Sequence, residues 1–176
     1  MARHYDEAIE QLQRTLELDH SFINARRYLA RAYERKGMCR EAIAEIQKVR
    51  DFYGRSQIAS GLLGYTLAVA GQRDEALNIV GELNEQSTRE HVWPYNIAII
   101  HVGLGERDQA LGWLEKAYQE HSDDLIYLKV DPIFDPLRSD PRFKDLVRRI
   151  GLLSVESTQP ATSLTTRGAW HGSAEA

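Results

Sequence analysis

Gly37-Met-Cys-Arg-Glu-Ala42-Ile43, Gly71-Gln-Arg-Asp-Glu-Ala76-Leu77 and Gly105-Glu-Arg-Asp-Gln-Ala110-Leu111 state one pattern three times, at an interval of 34 residues. Ala8 continues the alanine column one interval earlier, and Leu29, Leu63, Ile97 with Ala30, Gly64, Ala98 add two columns in the same register. A repeat of this length marks a unit that cannot bury its apolar face alone and must stack on a neighbour. The chain therefore reads as a stacked array, an architecture suited to binding rather than catalysis.

Within each unit the apolar spacing is near 3.6, which predicts helices and an all-α fold. Ala25, Leu29, Ala32 and Tyr33 share one face, with Arg27, Arg31 and Arg35 on another; after Gly37 a second helix presents Ala42, Ile43, Ile46 and Val49. The next unit offers Leu62, Leu63, Leu67 and Ala70, then Ala76, Leu77, Val80 and Leu83. The last offers Ile97, Ile100 and Leu104, then Ala110, Leu111, Leu114 and Ala117. Each glycine of the first column falls where one helix must end and the chain turn back, a position that favours positive φ. Asp74 and Asp108 are expected just before their second helices, as N-terminal caps. The small residues at Ala30, Gly64 and Ala98, and at Ala42, Ala76 and Ala110, let paired helices approach closely. Three helical hairpins result.

These segments resemble the tetratricopeptide repeat family, over roughly residues 1–124. Tyr5-Asp-Glu-Ala8-Ile9 with Leu16-Glu-Leu-Asp19 is similar to the second helix of an earlier unit. The sequence departs from the family pattern where His20 and Gly54 replace its closing proline, and where Arg26 and Ser60 replace an aromatic residue. The resemblance implies a right-handed superhelical solenoid of helical hairpins whose first helices line a concave peptide-binding groove. The units run over 23–56, 57–90 and 91–124, preceded by a partial repeat over 1–22. That partial unit would leave Ala8, Leu12, Thr15 and Leu16 without their usual partner, which suggests a missing upstream segment or self-association through this edge.

Asp131-Pro132, Asp135-Pro136 and Asp140-Pro141 each pair an N-capping residue with a proline suited to a first helical turn. Pro141 to Ile150, carrying Phe143, Leu146, Val147 and Ile150, predicts a short amphipathic helix ended by Gly151, and 125–151 reads as a C-terminal cap. The string Leu128 to Phe143 also resembles the ends of bacterial tetratricopeptide arrays attached to transcription regulators, adenylate cyclases and serine/threonine kinases. From Ser154 onward Ser, Thr, Gly, Ala and Pro dominate without periodicity, so the tail over 152–176 is expected to be disordered.

Charge and composition narrow the function. The 176 residues carry a net charge of −4, which argues against direct nucleic-acid binding. The longest apolar stretch, Ile58 to Ala70, is too short and too interrupted to span a bilayer, and no secretory leader follows Met1. A lone Cys39 forms no internal disulfide and fits a cytoplasmic protein. The six histidines fall at no metal-ligand spacing and are expected at surface or groove positions. No phosphate-binding glycine loop occurs, and caps explain the Asp-Pro carboxylates better than acid/base pairs do. No catalytic residue, metal or cofactor is indicated.

The groove lining then falls to residues of the first helices that do not serve the core: Asn24, Arg27, Arg31 and Arg35; Ile58, Gly61, Tyr65 and Ala68; Val92, Tyr95 and Ile99. Arg27 and Arg31 are candidates to meet acidic groups of a partner, and Tyr65 and Tyr95 to anchor it. An ordinary solvated face for the arginines and inter-helix packing for the tyrosines are the alternatives. The carboxylate clamp of some family members is not carried over, because Arg31 and Leu62 stand where it needs asparagines. Charge is polarised along the array: nine Lys or Arg against four Asp or Glu over 23–56, two against five over 57–90, and two against six over 91–124. The expected function is a non-catalytic module binding a protein or peptide segment. The alternative is the regulatory end of a larger signalling protein.

Overall fold

A computed structural model describes residues 3–54, 56–86 and 93–151. It contains α1 (Arg3–Leu18), α2 (Ile23–Arg35), α3 (Cys39–Tyr53), α4 (Gln57–Val69), α5 (Arg73–Gln86), α6 (Pro94–Gly103) and α7 (Arg107–Gln119). Two 3-10 helices, Asp123–Tyr127 and Pro132–Leu137, and α8 (Pro141–Arg149) complete it. Among the described residues there is no strand. Val92 and the tail over 152–176 lie outside them.

The turns that the glycine column announces share one geometry. Gly37, Gly71 and Gly105 take φ of 72°, 80° and 74°. The N–H of the next residue bonds back to the last helical turn, from Met38 to Tyr33, Gln72 to Leu67 and Glu106 to His101, each at 2.9 Å. This satisfies carbonyls that a helix end leaves open. His121 does the same after α7 at φ 56°, with Ser122 N–H bonding to the Ala117 carbonyl at 2.9 Å. Asp74 and Asp108 lie inside the first turns of α5 and α7, two residues later than the capping position expected for them. There they still face the positive end of the helix dipole.

Neighbouring helices pack in sequence, α1 on α2, α2 on α3, α3 on α4, α4 on α5 and α6 on α7, and α4 also lies directly against α6. Ala30, Ala42, Ala76, Ala98 and Ala110 are all fully buried. At Gly64 the space is fully used, since a Cβ there would stand 2.6 Å from Ile100 Cδ1. α1 is half-buried at Ala8, Ile9, Leu12 and Thr15, and it closes over α2 through Leu16 and a hydrogen bond from Gln13 Nε2 to the Tyr33 hydroxyl at 3.0 Å.

The C-terminal segment is bound to the array by aromatic residues. Phe134 is fully buried, with Tyr95 edge-on at 5.7 Å between centroids and Phe143 stacked at 5.9 Å. Asp131 and Asp140 cap as the sequence predicts, accepting from Ile133 N–H and Arg142 N–H. Asp135-Pro136 instead lies inside the second 3-10 helix, and Asp135 accepts from Arg138 Nε at 2.7 Å.

Ala76→Arg should lower the unfolding free energy by about 3 kcal/mol or more, because a long cation at a fully buried contact is both overpacked and desolvated. Urea midpoints compared with Arg40→Ala on the exposed face of α3 would test this. Equal losses would show that the alanine column is not where the helices meet.

Candidate functional site

Stepping through the 34-residue register from α2 to α4 to α6 shows why a cavity opens where it does. One column reads Arg27, Gly61, Tyr95 and another Glu34, Ala68, Val102. On α4 both positions are small, and α6 comes down onto them. A Cβ on Gly61 would sit 2.8 Å from Asn96 Cβ, and one on Gly103 would sit 2.9 Å from Ala68 Cβ. On α2 the same columns hold two long side chains, so α4 cannot approach α2 as closely as α6 approaches α4. The space left between α2, α4 and α6 is a cavity of about 450 Å3.

Asn24, Arg27, Arg31, Tyr65, Tyr95 and Ile99 all line it, together with Ile58. Gly61 and Ala68 do not: both are buried in the α4–α6 contact, their small size used for helix approach rather than for lining a groove. The far wall comes from the chain after α7, through Asp124, Tyr127 and Val130 to Ile133. This segment crosses the face of the first helices.

Arg31 holds it there. Arg31 Nη2 donates to both carboxylate oxygens of Asp131 at 2.9 Å, with the two side chains 33% and 17% exposed. Arg35 Nη2 donates to the Pro132 carbonyl at 3.1 Å and stands 3.9 Å from Asp135. The acidic partner expected for Arg31 is thus met within the chain, a hundred residues away, and Arg31 is not on a freely solvated face. Arg27 is different: it is exposed and has no hydrogen-bond or ion-pair partner among the described residues.

Beneath this ion pair sits Glu34, where the next two repeats carry apolar residues. Burial pushes its carboxyl above the usual range, against the Thr66 hydrogen bond and the nearby Arg31 and Arg35. The Thr66 hydroxyl donates toward Glu34 Oε1 at 2.7 Å and toward the Leu62 carbonyl at 2.9 Å, with one proton for two acceptors. In its protonated form Glu34 would supply the second proton.

The tyrosines also lie in low dielectric. Burial raises the Tyr65 hydroxyl to about 12, with Glu34 adding to it. Burial and then Asp131 raise that of Tyr95 further. Both therefore stay neutral donors at any ordinary pH. Asn96, 4% exposed, lines the same cavity, and its Nδ2 has no hydrogen-bond partner among the described residues.

One buried polar residue departs from the sequence reading. His101 is not at a surface or groove position but 7% exposed, with Nδ1 2.6 Å from Glu106 Oε2. That bond, and a second from Arg73, hold the Glu106 carboxyl below its usual range. The signal was present: His101 continues the column of Tyr33 and Leu67, both buried. Among the described residues no group of His, Cys, Asp and Glu is disposed to hold a metal ion, and no helix is long and apolar enough to cross a membrane. No protein-family model matches the chain, and no curated protein matches it either.

Two predictions follow from this geometry. Arg31→Ala and Asp131→Asn, the latter keeping the cap on Ile133 N–H, should show a coupling of about 1 kcal/mol in a double-mutant cycle, as expected for a partly exposed charged hydrogen bond. Additive losses would mean that the ion pair contributes nothing. For Glu34→Gln the sign comes from linkage. Folding raises the carboxyl above its ordinary 4.5, so stability falls as pH rises from there through the folded-state value. Gln keeps a donor to Thr66 and carries no charge. Glu34→Gln should therefore be more stable than the parent at pH 8, with the gap closing as pH falls toward 4.5, by urea titration at several pH values. A gap independent of pH would refute the assignment.

Proposed function

We propose that the chain is a tetratricopeptide-type solenoid of helical hairpins, right-handed as the resemblance implies, and that it works as a non-catalytic interaction module. The observation that carries this reading is the convergence of side chains from three successive first helices on one cavity. Its edge is exposed and apolar at Tyr28, Ile58, Tyr127 and Val130, beside Arg27, which has no hydrogen-bond or ion-pair partner among the described residues. Isolated exposed apolar residues are common on any protein, but four around one cavity beside an exposed arginine have the composition of a recognition surface. A peptide or partner segment docks on this rim, with an acidic residue near Arg27 and an apolar residue toward Tyr65. A cytoplasmic location belongs to the same proposal and is supported by the single unpaired cysteine.

The test is selection of peptides on the purified chain from a displayed random library, followed by kinetic measurement. Rim charges act mainly on association, and buried aromatic anchors on dissociation. Arg27→Ala should flatten the salt dependence of the association rate, and Tyr65→Ala should shorten the lifetime of the complex about tenfold or more, consistent with a hot-spot loss above about 1.4 kcal/mol. Selected peptides indifferent to both variants, with folding intact, would place binding on another face.

A further inference from the structure

The cavity behind the rim has an unbalanced set of polar groups. On the donor side, the Arg27 guanidinium, the Tyr65 and Tyr95 hydroxyls and Asn96 Nδ2 make no hydrogen bond to any described residue. On the acceptor side, Glu34 is occupied by Thr66, and Asp131 by Arg31 and Ile133 N–H. The remaining acid, Asp124, has its carboxyl pushed up by burial and by Asp123 and pulled down by the charge of Arg27, which lies within electrostatic reach but makes no ion pair with it. A buried amide nitrogen without an acceptor is destabilising, and native proteins leave few such groups unexplained.

The space is shaped as well as polar. Its walls are apolar at Ile46, Leu62, Ile99 and Ile133, and its volume lies within the range of about 300–1,000 Å3 typical of small-molecule sites. The segment pinned by Arg31 to Asp131 forms one wall, so an extended chain cannot run along α2, α4 and α6 through it.

We infer that this cavity is a binding site for a small organic carboxylate with an apolar, preferably aromatic, body. Its carboxylate accepts from Arg27 at the mouth and from the tyrosine hydroxyls and Asn96 Nδ2 within, while its body lies against Leu62 and Ile99. This goes beyond the partner-binding reading but shares Arg27 and Tyr65 with it, so a small acid in the interior and an acidic partner segment at the rim compete for the same guanidinium.

The experiment titrates the full chain by calorimetry with phenylacetate, 3-phenylpropanoate and hexanoate, and with the neutral alcohol 3-phenylpropan-1-ol. Saturable one-to-one binding of at least one acid is expected. The binding should be at least tenfold weaker for the alcohol and for Arg27→Ala, an exposed substitution that leaves the core intact. Asn96→Asp, which replaces the donor by an acceptor, should weaken it further if circular dichroism shows it folded. Absence of binding by all three acids overturns the inference, as does equal affinity for the alcohol or indifference to Arg27→Ala. The two readings separate cleanly. Peptides that bind while no acid binds or competes would leave the rim assignment standing and remove the ligand site; acids that bind while no peptide does would do the reverse.

Discussion

The distance between first helices is the constraint on which this structure depends. Where the register supplies Gly61, Gly64 and Ala68, α6 reaches α4 backbone to backbone and no space remains. Where the same register supplies Arg27 and Glu34, α2 and α4 stand further apart and a cavity opens between them. A methyl group more or less decides such contacts, because protein interiors are packed near crystal density. The site thus arises where α2 carries two long side chains at the positions that are small on α4.

That opening would leave polar groups stranded if nothing covered it. The chain after α7 supplies the cover, and its chemistry matches what lies beneath. Asp131 meets Arg31, the Pro132 carbonyl meets Arg35, and Phe134 packs on Tyr95. Ion pairs alone are weak organisers at this degree of exposure. The buried aromatic contact gives the larger part, since full burial of a side chain the size of Phe contributes about 1.5–3 kcal/mol. The charge pair then fixes where the segment crosses the helices, with the half-buried Glu34 nearby.

The helices and their turns were legible in the sequence because they are written in periodic apolar and small residues, but the use of Gly61 and Ala68 for the close α4–α6 approach, rather than for lining a groove, was not. The resemblance implies that first helices line a groove, which assigns Asn24, Arg27, Arg31, Tyr65, Tyr95 and Ile99 to it, and the structure gathers these six around one cavity. The crossing segment was not legible. Arg31 and Asp131 are a hundred residues apart, and an arginine on a helix face reads the same whether solvent or a carboxylate waits beyond it. Glu34 and His101 fall between these cases. Each sits in an otherwise apolar column, so comparing repeats column by column marks them as buried. Reading each helix by itself does not.

Everything here turns on the segment 123–137 lying closed against the first helices in solution. Amide hydrogen exchange with two-dimensional NMR tests this most directly. The account predicts rings of Tyr95 and Phe134 in mutual NOE contact, and amides of Leu128, Phe134 and Leu137 protected to nearly the same degree as those of α6. Free exchange at those three amides with no Tyr95–Phe134 contact would contradict it, because the cavity would then have no far wall.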